Sequence, residues 1–398
     1  MADIRSYMKE KEKREQKQAS YKEKIMKHKL TSVYRVLLVL VGIAALIALI
    51  AVQYNRHIYT GYDIVASVAR QSAAGTIDVR LGRSILTYSK DGVHCTNTKG
   101  EVTWNQTYQI QDVRLSISGD TVAIGDYNGR NIYLQNSLQQ LGTVTTTMPI
   151  RDVAVSASGI VTAVLADTDK ALINTYNSSG KMLYKGEAHM EGSGYPGAIG
   201  LSPGGELLGV AYVYVDAGIL KTNIAFYNLD SVGESYTDKI VSTWSYSDMI
   251  VPVLRFMNDD TAFAVGDSRL MIYTGSHKPV SALEHIYDEE VLSVFYNEEY
   301  VGLVFRSDQS EYLYRLDVYS AAAKEVGSFY FDIEYTDLFF DQDKFVVYNE
   351  TECVIKTFGD IEKFHGTFSK SVRLMLPGNS AYRYVIVTDN SIDTIQLK

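Results

Sequence analysis

A chain of 398 residues with 46% apolar and 21% charged side chains can build a large core, which excludes wholesale disorder. Its formal charge of −9 conceals an asymmetry, since residues 1–35 carry a net +6 and the remainder a net −15. An acidic main body excludes a general nucleic-acid surface, and 30 tyrosines with 29 glycines favour strands and tight turns, an all-β composition.

Residues 1–32 form a basic tail. Between Val36 and Val52 the chain runs VLLVLVGIAALIALIAV, 17 residues without a charge. Extended to residues 33–54, this is long enough to cross a hydrocarbon core of about 30 Å as one helix. Val36, Leu40, Gly42, Leu46 and Ile50 lie along it, with Tyr34, Tyr54 and Tyr59 at interfacial positions. A cleaved signal peptide fits less well, because the basic stretch before it is too long and no small-residue cleavage site follows Leu49. Lys22, Lys24, Lys27, Lys29 and Arg35 precede the run and only Arg56 follows it closely. The positive-inside rule then places the N-terminus in the cytoplasm and the C-terminal body outside. The expectation is a signal anchor in the lipid bilayer of the cell membrane, and the low cysteine count suits a bacterium.

Residues 55–75 read as a juxtamembrane linker holding a strand. From residue 76 to 398 one pattern recurs: an apolar strand, a tight polar turn, a second apolar strand and an Asp- or Gly-containing turn. It begins as RLGRSILTYSKDG (80–92), LSISGDTVAIGD (115–126), VSASGIVTAVLAD (155–167) and LSPGGELLGVAY (201–212). It continues as FMNDDTAFAVGD (256–267), FYNEEYVGLVFR (295–306), FFDQDKFVVYNE (339–350) and MLPGNSAYRYVIVTDN (375–390). A spacing of about 40–45 residues with room for four strands is that of a β-propeller blade. The last repeat has only three strands, and a fourth around Tyr62–Val68 would close the ring. Eight blades are expected, with seven as the alternative. The fourth repeat is longer, with YVYVDAGILKTNIAF and NLDSVGESYTDK inserted.

Motifs that carry chemistry are few. Gly200-Leu201-Ser202-Pro203-Gly204 matches the nucleophile-elbow pattern literally, but it occupies the same turn as SISGD and SASGI in neighbouring repeats. Asp126, Asp167, Asp216, Asp267 and Asp389 recur near the ends of second strands, where Asp is a favoured turn residue and no calcium-loop spacing appears. The seven histidines lack metal-ligand spacing. Cys95 and Cys353 fall on third strands of non-adjacent blades of an eight-bladed ring and are expected to be unpaired buried thiols. The glycine-rich segment GEAHMEGSGYPG (186–197) is not a phosphate loop; His189, Glu191 and Tyr195 on it are candidate partner contacts. No catalytic, cofactor-binding or metal residue is assigned.

CTNTKGEVTW (95–104) and TYNSSGKMLY (175–184) resemble the turn-and-strand signature of quinoprotein-like (PQQ-like) propeller repeats, themselves similar to WD-like blades. The layout of basic tail, anchor and outer propeller resembles uncharacterised membrane-anchored propeller proteins of Gram-positive bacteria. The resemblance implies a propeller fold and a binding or scaffolding module at the cell envelope, with an envelope protein or glycan as partner, no cofactor and no catalysis. The competing expectations are a quinone-dependent dehydrogenase or hydrolase, and an envelope sensor acting through a cytoplasmic partner.

Overall fold

The computed structural model describes residues 2–189 and 192–398, excluding the side chains of 2–5, 23–25, 27, 28, 31, 32 and 48–56. It divides into two units, Met1–Ile58 and Tyr59–Lys398. The first unit is one helix, Ala2–Arg56, with no break between the charged tail and the apolar run. Val36, Leu40, Gly42 and Leu46 are exposed on it, whereas Ile50 lies outside the described residues. The described part of the expected span stops at Ile47, short of the about 20 residues a bilayer core requires. Among the described residues, no helix is long and apolar enough to cross a membrane.

The second unit is a propeller of eight four-stranded antiparallel sheets. Blade 1 starts on the inner strand Ile77–Leu81, blade 2 on Val113–Ser118, blade 3 on Ile150–Val155 and blade 4 on Tyr195–Leu201. Blades 5 to 8 start on Val253–Asn258, Ser293–Tyr296, Asp337–Asp341 and Leu374–Pro377. Within each blade the second and third strands are covered on both faces and therefore read as apolar runs, as in VTAVLA of Val161–Ala166. Outer strands alternate, as in Ile240–Ser247. The lower face carries the turns between first and second strands and between third and outer strands. The upper face carries the second-to-third turns and the linkers between blades. The lower turns demand left-handed backbone: Gly205 has φ +85°, and a Cβ there would lie 2.7 Å from Ile160.

Eight clusters of buried apolar side chains occur among the described residues, one at each blade interface. Much of the tyrosine content is here. Tyr273, Tyr319, Tyr348 and Tyr384 are fully buried. Several buried tyrosine hydroxyls pair with one another or with a carboxylate: Tyr246 with Tyr273 at 2.8 Å, Tyr212 with Tyr227 at 2.6 Å and Tyr384 with Asp341 at 3.1 Å. Burial is the main reason that the Tyr246 hydroxyl is pushed up to about 12. Cys95 and Cys353 are buried free thiols.

The ring closes in blade 8. Its second and third strands are Arg383–Val387 and Ser391–Leu397, and its outer strand is Tyr62–Ala69, which pairs from Tyr62↔Leu397 to Ala69↔Ser391. The chain thus enters the propeller at the lower face, where Tyr59 N–H also donates to the Lys363 carbonyl at 2.8 Å. The interface of blade 8 with blade 1 has the smallest apolar cluster, six residues around Ile85 and Leu376.

Polar latches reinforce this seam. The Asp393 side chain is fully buried and accepts from Ser67 of the closing strand at 2.5 Å, from Lys370 at 2.6 Å and from Ser391 at 2.9 Å. Burial alone would raise its pKa, but these donors outweigh burial and hold the carboxyl below its ordinary value. A folded pKa below the unfolded one gives a contribution that is complete above the unfolded value of about 3.9 and is lost as pH falls through the folded pKa. Asp393→Asn should therefore melt well below the native protein at pH 7, and the gap should shrink below about pH 4. Melting curves from neutral to acid pH test this, and a gap that stays constant would show that the carboxylate charge is not the latch.

Candidate functional site

The inner strands of all eight blades surround a central cavity of about 660 Å³. Its charged groups are largely used up on one another. The Asp78 side chain is 1% exposed and meets Arg70 at 2.5 Å and Arg373 at 2.8 Å. Thr87 donates to the same carboxylate at 2.6 Å. Arg80 reaches past blade 8, donating to the Met375 carbonyl at 3.1 Å, and pairs with Asp337 at 2.7 Å. Asp337 also accepts from the Tyr348 hydroxyl at 3.0 Å. Arg255 donates to the carbonyls of Ile199 and Leu254 at 2.8 and 2.9 Å. Burial raises the pKa of Asp152, opposed by the Val153 N–H and by Arg255 and Arg114. These pairs tie the inner strands of blades 7, 8 and 1 to one another around the cavity.

The literal elbow motif does no elbow work. Ser202 is buried, and its Oγ accepts from the Leu207 N–H at 3.0 Å within a lower-face turn. The repeated aspartates sit at the upper ends of second strands and serve local turns and pairs, Asp216 with Lys221 at 2.7 Å and Asp389 with Arg373 at 2.9 Å. Among the described residues, no group of three or more His, Cys, Asp or Glu side chains is placed to hold a metal ion. The pKa of His94, on the third strand of blade 1, is lowered by burial and by Arg70, with Asp78 opposing.

In the glycine-rich segment, the described residues 192–194 fold back on the end of the preceding strand. The His189 carbonyl, at the end of the outer strand of blade 3, accepts from the N–H groups of Gly192, Ser193 and Gly194 at 2.9–3.1 Å. Gly194 has φ +88°, and a Cβ there would lie 2.7 Å from the Val213 carbonyl oxygen. His189 and Tyr195 are exposed, the latter opening the inner strand of blade 4 on the upper face, while Glu191 lies outside the described residues.

Sequence reasoning missed the arrangement of exposed apolar residues. Those on the lower face are scattered around the ring, as with Val102, Leu138 and Val280. On the upper face they concentrate over blades 4, 5 and 6. The second and third strands of blade 4, Leu207–Asp216 and Ile219–Asn228, are ten residues each, against five to seven in the other blades. Their hairpin outruns both neighbours, since inner-strand pairing stops at Tyr195↔Val213 and outer-strand pairing at Lys221↔Ser247. Ala217 and Gly218, at φ 51° and 80°, make the two-residue turn that matches strand twist. The tip carries Val215, 68% exposed, and Ile219, 48% exposed. At its base the Asp248 N–H donates to the Leu220 carbonyl at 2.8 Å and Thr222 donates to the Met249 carbonyl at 2.7 Å. These bonds hold the linker that presents Ile250, which is 42% exposed. Ile250 in turn lines a cleft of about 830 Å³ between blades 5 and 6. The long fourth repeat was the one sequence signal of this surface.

A model described as a family of unknown function (DUF5711) matches residues 54–397. Among solved structures the chain is similar to Sqt1 of Saccharomyces cerevisiae, at 11% identity over 84% of this chain and 99% of that one, with a TM-score of 0.52. A eukaryotic initiation factor is similar at 12% identity over 84% and 87%, with a TM-score of 0.51. BamB from Moraxella catarrhalis is similar at 10% identity over 85% and 100%, with a TM-score of 0.49. No curated protein matches the sequence. Likeness at these identities shows the fold alone.

Proposed function

Because the chain belongs to the family of unknown function DUF5711, no activity is inherited from it, and we propose from its own geometry a membrane-anchored, extracytoplasmic binding or scaffolding propeller without catalytic activity. The observation that carries this reading is the apolar sector of the upper face over blades 4 to 6. Large aliphatic side chains held out on a hydrogen-bonded hairpin add no fold stability and gain burial only against another molecule. The propeller itself begins at its lower face, on the side opposite this sector.

The anchor rests on the sequence. The apolar run from Val36 to Val52 follows a basic tail and is exposed over its described part, to Ile47. A helix that is apolar all round needs a nonpolar cover, and a bilayer supplies one. The charge bias of the flanks puts the tail in the cytoplasm and the acidic propeller outside.

Two measurements on cells expressing the full chain test this. The protein should stay with the membrane after alkaline washing and be cut by protease added outside. A photo-crosslinking residue at Val215 or Ile219 should give a discrete protein adduct that the same residue at Leu138, on the lower face, does not. Release by the wash removes the anchor, and equal labelling from both faces removes the upper-face binding role.

A further inference from the structure

We propose that the upper-face cleft between blades 5 and 6 binds a cationic peptide segment of a partner protein, anchored by its aliphatic side chains. The inference rests on the binding role above and adds the chemistry of the partner. The cleft floor is apolar, made by Ile250, Pro252, Val253, Val291, Leu292 and Val294. Its rim is of one sign: Asp267, Asp288, Glu289 and Glu290 line it, and among the described residues no cationic side chain does. Arg315 compensates Glu289 at 3.0 Å from behind, leaving the other carboxylates facing solvent.

An apolar floor calls for burial and an acidic rim calls for positive charge around it. A segment alternating aliphatic residues with Lys or Arg satisfies both, whereas an acidic segment meets like charge at every rim position. Ile250 is carried by the linker that the base of the blade 4 hairpin holds, so the cleft opens on the same face as Val215 and Ile219. The rest of the propeller supports the same sign, because residues 36–398 carry a net −15 that attracts cationic partners at long range.

The test uses the full chain in detergent micelles and three synthetic peptides of equal length: one alternating leucine and lysine, one alternating leucine and glutamate, and one alternating leucine and serine. Fluorescence anisotropy should show binding of the lysine peptide, weakening as salt rises from roughly 0.05 to 0.5 M. Asp288→Lys combined with Glu290→Lys, and separately Ile250→Ser, should each weaken it by about tenfold or more, while Glu298→Lys combined with Glu299→Lys, two exposed acids on the lower face, should not. Equal loss with the lower-face variant would mean diffuse attraction to an acidic body and would overturn the cleft assignment. So would failure of the lysine peptide to bind, or self-association of the chain abolished by the same cleft variants, which would make a second copy the occupant. If Val215 still crosslinks a protein in cells while the lysine peptide ignores the cleft, the binding role stands and the cleft chemistry falls.

Discussion

A chain beginning at residue 76 is expected to lose the closed ring, although it keeps every repeat visible in the sequence. The segment removed includes Tyr62–Ala69, the outer strand of blade 8, together with Tyr59 and Tyr62, which pack against the blade 7–8 core. It also removes Arg70 and Ser67, which supply two of the polar latches. What remains is a three-stranded last blade with Ser391–Leu397 as a bare edge, an open template for pairing with another chain. Against a chain starting at residue 57, the truncated one should melt at least roughly 10 °C lower, given losses of several kcal/mol, and should associate in solution. A synthetic peptide covering residues 59–72, added in excess, should restore monomeric behaviour by completing the sheet in trans. Equal melting and a monomeric truncated chain would show that closure contributes little.

The fold was legible because a propeller repeats its physics. Each blade needs two doubly covered strands, and those appear as apolar runs such as TAFAV and KFVVY, punctuated by Gly or Asp where the backbone must reverse. Counting such units, and noticing that the last lacked a strand, led to eight blades and a closing strand near Tyr62. Two parts of the organisation stayed hidden. The helix runs unbroken from Ala2 to Arg56 because Lys, Glu, Gln, Leu and Ala all favour helix, so a change in polarity need not coincide with a change in structure. In the glycine-rich segment 186–197, the described Gly192 and Gly194 turn their N–H groups onto the His189 carbonyl, a use that composition alone does not show.

The candidate surface was illegible for a different reason. Ile250, Leu292 and the hairpin tip come from three blades and carry no shared motif. They share one face only because the linkers between blades and the second-to-third turns return to it, and Ile250 and Leu292 line one cleft there. Single exposed aliphatic residues are ordinary in any sequence, and a patch is recognised only after topology has gathered them. The four acidic rim residues are likewise split between Asp267 and the stretch 288–290. The tyrosine content, by contrast, goes largely into packing, as with Tyr273, Tyr319, Tyr348 and Tyr384 between blades.

The same long-range logic makes Asp78→Asn the point change expected to cost most. Asp78, on the inner strand of blade 1, is one carboxylate shared by two guanidinium groups from opposite ends of the chain. Arg70 follows the closing strand and Arg373 precedes the inner strand of blade 8. The apolar cluster at this interface is the smallest of the eight, so the ion network carries a larger share of the seam than elsewhere. Removing the charge leaves Arg70, whose side chain is only 10% exposed, without a counter-ion. Breaking one partner of a buried pair costs about 3–5 kcal/mol, which for a domain of this size lowers the melting temperature by roughly 4–7 °C. The cost arises from the stranded cation and not from the lost contact. Asp78→Leu combined with Arg70→Met, which removes both charges while Arg373 keeps Asp389, should therefore recover much of the loss. Thermal melts of the two variants beside the native chain distinguish the accounts. Equal damage in both would mean that packing shape at Asp78 matters more than charge, and no damage in Asp78→Asn would mean that the ring is held shut by its strands alone.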